Sequence, residues 1–308
     1  MNVSSVPLTF SLYSSLRVYN VALFVCVCAL YVCGLCVSLL LLVVVCAERR
    51  LHRPMYVLLA NLAASGAVGS SAVCPLVMRH LMADAPQTSL AGCLTQVFFT
   101  NVYGGCVFCI LALMAYDRYV SICKPLLYGC VMTPARVALM LLAVYALLGT
   151  LSAVHVYMIS SLALCTHTVD KLTCDSLVVS KLSCERSPAV GAFGLCSAVC
   201  VMLVPGLLVV LSYAQIFTVI LKTCKESRTK ALQTCTPHFV TFLNFSVASF
   251  FGVLYNRLHQ HVPKTVNVLT SINFFVLPPL LHPVVYGIQL QEIQQSIRKM
   301  MSGKIIPA

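Results

Sequence analysis

Asp117 and Arg118 stand side by side at the end of an apolar run that begins near Leu94, in the stretch Met114-Ala115-Tyr116-Asp117-Arg118-Tyr119. An arginine is charged at any relevant pH and costly at bilayer depth, so it needs a carboxylate or the water interface beside it. The chemistry open to the two residues is ion pairing and exchange of partners. The plain reading of the pair alone is a helix-end ion pair that marks a membrane boundary, and the residues around it decide whether it does more. Thiols are the second reactive group. Of 18 cysteines, many lie inside apolar segments (Cys26, Cys28, Cys33, Cys36, Cys196, Cys200) and read as small packing residues. Cys235 and His238 are two possible metal ligands in Cys-x-x-His spacing, but two ligands do not fill a tetrahedral site, so neither metal nor cofactor is expected. No carboxylate pair or nucleophile–base set lies within an apolar run, which argues against an enzyme.

The elements that hold these residues are read from charge and hydropathy. The chain has 308 residues, 60% hydrophobic and 9% charged, with mean hydropathy +0.94. A soluble protein carries roughly 25% charged residues, so this is an integral membrane protein. Asp, Glu, Lys and Arg are absent from 18–47, 54–78, 85–116, 137–169, 187–221, 231–256 and 265–291. Each gap meets the roughly 20 residues a helix needs to cross hydrocarbon. The runs do not alternate as barrel strands do. The expected fold is an all-α membrane protein, a bundle of seven transmembrane helices. Thirteen of the twenty Lys and Arg residues fall on one side of these spans. The positive-inside rule makes that side cytoplasmic, with the N-terminus extracellular and Asp117-Arg118 inside.

Residues 1–20 then form an extracellular segment, 21–291 the bundle with a long outer loop at about 165–187, and 292–308 a short cytoplasmic tail. No basic stretch precedes a small-residue cleavage site, so the first span is expected to act as the insertion signal. Asn2 lies in an outward Asn-x-Ser sequon and is the expected glycosylation site; a second sequon at Asn244 falls inside a span and is expected to be unused. Net charge +12 comes from short loops rather than a continuous stripe, which points to anionic lipid and a cytoplasmic partner, not to nucleic acid. Cys93, Cys165, Cys174 and Cys184 lie outside, where thiols oxidise; four cysteines allow three connectivities.

Several stretches resemble odorant receptors, a branch of the rhodopsin-like G-protein-coupled receptors. Met-Ala-Tyr-Asp-Arg-Tyr (114–119) is followed by Lys124-Pro125-Leu126-Leu127-Tyr128. Leu51-His52-Arg53-Pro54-Met55-Tyr56 matches the family's Leu-His-x-Pro-Met-Tyr, and with Val45 and Glu48-Arg49 is most similar to the fish type. Lys230-Ala231-Leu232-Gln233-Thr234-Cys235-Thr236-Pro237-His238 resembles the family's sixth-span signature, and Pro279-Leu280-Leu281-His282-Pro283-Val284-Val285-Tyr286 its seventh. The likeness runs from Leu51 to about Lys299.

The resemblance implies a receptor for a small-molecule odorant that activates a stimulatory, cAMP-raising heterotrimeric G protein at the plasma membrane of olfactory sensory neurons. It implies bridges Cys93–Cys174 and Cys165–Cys184, although Cys165 stands one residue nearer Cys174 than the family spacing. It assigns the activation switch to Asp117, Arg118, Tyr119, Tyr213, Tyr286, Lys230 and His238. Ligand-facing candidates are Thr100, Asn101, Gly104 and Gly105 in the third span, and Phe251, Leu254, Tyr255 and Leu258 in the sixth; small residues there also serve plain helix packing. Ser38, Gly66, Val107 and His282 depart from the family's polar core, and without a carboxylate among them no sodium ion is expected. Alternatives are a non-olfactory rhodopsin-like receptor for another small ligand, or a signalling-impaired relative. A transporter would show repeats or mid-span acids, and neither is present in the sequence.

Overall fold

The computed structural model describes residues 7–15, 18–185, 187–222, 225–251, 264–282 and 291–301. In chain order, β1 (Pro7–Phe10) and α1 (Ser11–Ser15) precede α2 (Asn20–Ala47) and α3 (Pro54–Met82). β2 (Gln87–Ser89) leads into α4 (Leu90–Cys123). After the short α5 (Tyr128–Val131) come α6 (Pro134–Ser160), β3 (Thr168–Val169), α7 (Ser176–Leu182), α8 (Pro188–Leu221) and α9 (Lys225–Phe250). α10 (Lys264–Phe275) and α11 (Gln291–Met301) complete the described elements. α2, α3, α4, α6 and α8 are each long and apolar enough to cross a membrane. Shorter apolar helical segments, Phe239–Phe250 and Val266–His282, stand where the sixth and seventh spans are expected.

Helix starts follow local chemistry. Pro54, Pro134 and Pro188 open α3, α6 and α8, where a missing N–H costs nothing. The hydroxyls of Ser89, Thr133 and Ser187 accept from Gly92, Arg136 and Val190 N–H, capping α4, α6 and α8.

α4 is the axis of the bundle. It packs against α3, α6, α8 and α9 and is buried over 67% of its apolar stretch, against 17% for α8. The outer face of α8 leaves Leu203, Val204, Leu207 and Leu211 exposed. Such a surface is stable only against hydrocarbon, so association inside the bundle has to come from close packing and hydrogen bonds. One contact shows how close. Tyr103 of α4 lies on Gly69 of α3, where an added Cβ would stand 2.3 Å from the ring. The same ring meets Phe245 of α9 and Phe274 and Phe275 of α10, and its hydroxyl donates to Phe274 O at 3.1 Å. Tyr103 therefore ties four helices together. Gly69→Ala has to push the ring off this junction, at an expected cost of about 1–3 kcal/mol. A thermal denaturation midpoint unchanged from the parent would count against this account.

A cap covers the end of the bundle that carries Cys93. β1 pairs antiparallel with β2 and parallel with β3. Behind it Tyr13 Oη donates to Leu172 O at 2.6 Å, Ser11 Oγ donates to the Asp170 carboxylate, and Phe10 and Tyr13 pack on the His80 ring. The stretch before the first span is thus an integral strand of the cap.

Candidate ligand cavity and switch end

A cavity of about 210 Å³ lies under this cap, between α4, α6, α8, α9 and α10. Its volume is somewhat above the roughly 150 Å³ that takes up benzene in an engineered core, so it fits a small molecule and not a peptide. Thr100, Asn101, Gly104 and Gly105 of α4 form one wall. The two glycines do not simply leave room. A Cβ on Gly105 would meet Leu148 at 2.5 Å, and one on Gly104 would meet Phe274 at 3.3 Å. Each glycine lets a neighbour that itself lines the cavity come close, so packing and lining are the same contact here.

The roof is held by bonds between distant segments. Cys93 and Cys174 are bridged, and Cys165 and Cys184 are bridged within the loop. The shorter Cys165–Cys174 spacing is absorbed because Cys165 N–H and Cys184 N–H donate to Leu182 O and Ala163 O, setting the two strands side by side. Gln96 accepts from Cys174 N–H at 2.7 Å and donates to Ala72 O at 3.1 Å, which joins the loop to α4 and α3. Asp175 accepts from Val178 N–H at the start of α7, and Lys171 Nζ lies 2.6 Å from its carboxylate. Lys171 and Asp175 both face the cavity.

Phe251, expected to face the ligand, does not appear among the described residues that line the cavity. It is 39% exposed and lies edge-on to Phe250. At the end of α9 the helical phase presents Ser249 inward instead. Leu254, Tyr255 and Leu258 lie outside the described residues. Sequence reasoning missed the roof pair, Ser152 and His155 of α6, and Asn267, Thr270, Ser271 and Phe274 of α10. The last four recur at i, i+3, i+4 and i+7, a helical-face signal that was legible.

At the opposite end of α4 the adjacent charges do not pair. Among the described residues the Asp117 carboxylate is buried and accepts from Tyr128 Oη at 2.9 Å. Burial and the Asp117 charge hold that phenol above its ordinary pKa, so it remains a donor. The Arg118 Nε is buried with no hydrogen-bond partner among the described residues. The reason is geometric: residues i and i+1 of a helix do not face each other. The expected helix-end ion pair is therefore replaced by a carboxylate–tyrosine bond and a guanidinium with no ion-pair partner among the described residues. Tyr119 carries Lys124 Nζ over its ring at 5.6 Å. Tyr213 is buried beside Ala112, Ala115 and Ile216, edge-on to Phe239. Nearby, Tyr56 and Arg53 donate to Glu292 of α11. Lys230, Cys235 and His238 fall in α9 but their side chains, like Tyr286 and Asn2, lie outside the described residues.

Two of the four departing core positions, Ser38 and Gly66, meet at one proline. Ser38 Oγ donates to Pro279 O at 3.4 Å, and a Cβ on Gly66 would stand 3.2 Å from Pro279. A side chain larger than glycine at position 66 requires α10's continuation to move.

Comparison with known proteins agrees with this architecture. The olfactory receptor family profile matches residues 27–304. Human olfactory receptor 10J1 is 32% identical over 298 residues, covering 96% of this chain and 92% of the relative. Human olfactory receptor 56A5 is 33% identical over 263 residues, covering 85% and 84%. The crystal structure of squid rhodopsin superposes with a TM-score of 0.75 at 14% identity, over 93% of this chain and 86% of the other. The fold is a rhodopsin-type bundle of seven transmembrane helices, and the protein is a multi-pass membrane receptor, not an enzyme. On the family match and on these relatives, the chain belongs to the olfactory receptor family.

Proposed function

We propose that this receptor binds a small odorant in the cavity under the cap and activates a stimulatory, cAMP-raising heterotrimeric G protein at its far end. The observation that carries the reading is the placement of α4, which lines the cavity with Thr100 to Gly105 and ends at Asp117-Arg118. Fourteen residues from Gly104 to Arg118 span about 21 Å of helix, so one rigid element joins the two ends. Ligand binding favours the state it binds more tightly, and it shifts the population only by that difference in affinity. In the active state Arg118, with Tyr119, Tyr213 and Tyr286 around it, meets the G protein, and Asp117 is held aside by Tyr128. Lys230 and His238 belong to the same inner surface at the start of α9.

In this reading the cap and Asn2, the glycosylation site, face outward and α11 lies inside against the lipid headgroups. The bridged cysteines fit an oxidising exterior, and Lys and Arg crowd the other side. The site of action is the plasma membrane of olfactory sensory neurons. The test is cAMP in cells expressing the full chain with an olfactory-type stimulatory G protein, against a broad odorant panel, with surface staining in parallel. A ligand-dependent rise is expected; silence of a surface-expressed receptor across the panel would refute the coupling.

A further inference from the structure

The cavity wall is biased in its hydrogen bonding. Thr100, Ser152, Ser197, Thr270 and Ser271 all line it, and each hydroxyl already donates to a backbone carbonyl, at 2.8–3.3 Å. Asn267 spends one of its two amide hydrogens the same way, donating to Asp170 O at 3.3 Å. A hydroxyl whose hydrogen is taken offers only lone pairs, and an amide that has given one hydrogen offers its oxygen and the second hydrogen. The wall therefore presents acceptors. Against them stand donors, among them the amides of Asn101 and Asn267 and two further groups. Lys171 has three ammonium hydrogens, of which Asp175 takes one. Ser249 is 2% exposed, and its hydroxyl lines the cavity with no hydrogen-bond partner among the described residues. A buried hydroxyl without a partner is costly, so Ser249 marks a bond left for a ligand to make.

We infer that the receptor selects small neutral hydroxyl compounds, alcohols and phenols, over carbonyl compounds and ethers of the same shape. This rests on the cavity being the odorant site. A hydroxyl group both donates and accepts, so it satisfies a wall acceptor and takes a hydrogen from Ser249 or Lys171 at once. A ketone or an ether only accepts and leaves the wall unmatched. A carboxylate meets lone pairs on most sides. An ammonium ion meets the charge of Lys171, and among the described residues the one carboxylate lining the cavity is already paired with that lysine.

The test uses matched probes on the detergent-solubilised full chain: cyclohexanol, cyclohexanone and cyclohexyl methyl ether. The readout is ligand-dependent thermal stabilisation, which needs no G protein. Cyclohexanol is expected to bind about tenfold more tightly than either partner, the size of one unmatched buried polar group. Ser249→Ala is expected to weaken all three probes, because the oxygen of each accepts its hydrogen, and Thr270→Val to narrow the preference for cyclohexanol over cyclohexanone. Equal binding of the three probes, or binding of none, overturns the inference. A cAMP assay with the same probes separates it from the signalling proposal. Selective stabilisation without cAMP leaves the hydroxyl preference standing and removes the coupling. A cAMP rise that is equal for alcohol and ketone does the reverse.

Discussion

Arg118→Ala is expected to abolish ligand-dependent cAMP while leaving the receptor at the cell surface. The guanidinium is half-buried at the end of α4, and its Nε has no hydrogen-bond partner among the described residues. Asp117, its neighbour in sequence, is held by Tyr128. Truncating Arg118 therefore breaks no described bond and relieves a partly buried charge, so folding should be affected by no more than about 1 kcal/mol. A G protein that docks here would lose a charged anchor, and truncation of such an anchor costs about 2 kcal/mol or more, a factor of about 30. Arg118→Lys should recover only part of the response, because a point charge replaces a planar fork of donors. Dose–response curves beside surface immunostaining decide it. A variant that signals normally shows that Arg118 is not the docking group; a variant that never reaches the surface shows that its role is structural.

Cys93→Ser is expected to have the largest effect on stability. Its bridge to Cys174 closes 81 residues, and Cys165–Cys184 closes 19. Loop-closure entropy puts the first at about 4.5 kcal/mol and the second at about 3 kcal/mol. The difference should be larger in practice, because the Cys93 bridge also holds Cys174 N–H against Gln96 and keeps Lys171 and Asp175 over the cavity. Cys165→Ser frees one edge of the loop and leaves that roof anchored. The expected order of thermal midpoint and of surface expression is parent, Cys165→Ser, Cys93→Ser. The reverse order would show that the inner bridge of the loop, and not its tie to α4, carries the cap.

Much of this was legible in the residues. Charge-free runs place the spans because a charged side chain at the bilayer centre is expensive whatever its neighbours. Thr-Pro and Ser-Pro pairs at 133–134 and 187–188 place helix starts, because capping and the missing proline N–H are local effects. The Met114–Tyr119 and Lys230–His238 stretches carry the family resemblance without any reference to contacts.

Only the tertiary structure could decide who faces whom. Periodicity tells which face of a helix is turned inward but not which side chain arrives opposite it. Asp117 looks paired to Arg118 in sequence and is bonded to Tyr128, because a helix turns adjacent residues about 100° apart and the following loop folds back. β1 is part of the expected extracellular segment in sequence and a strand in space, because its partners at 87–89 and 168–169 are brought to it by the fold. Tyr103 reads as one more apolar residue until Gly69 is found beneath its ring. The acceptor bias of the cavity depends on the hydrogens of five hydroxyls having gone to backbone carbonyls. The residue types fix how many donors and acceptors exist, and the packing register of α4, α6, α8 and α10 decides which of them remain for a ligand.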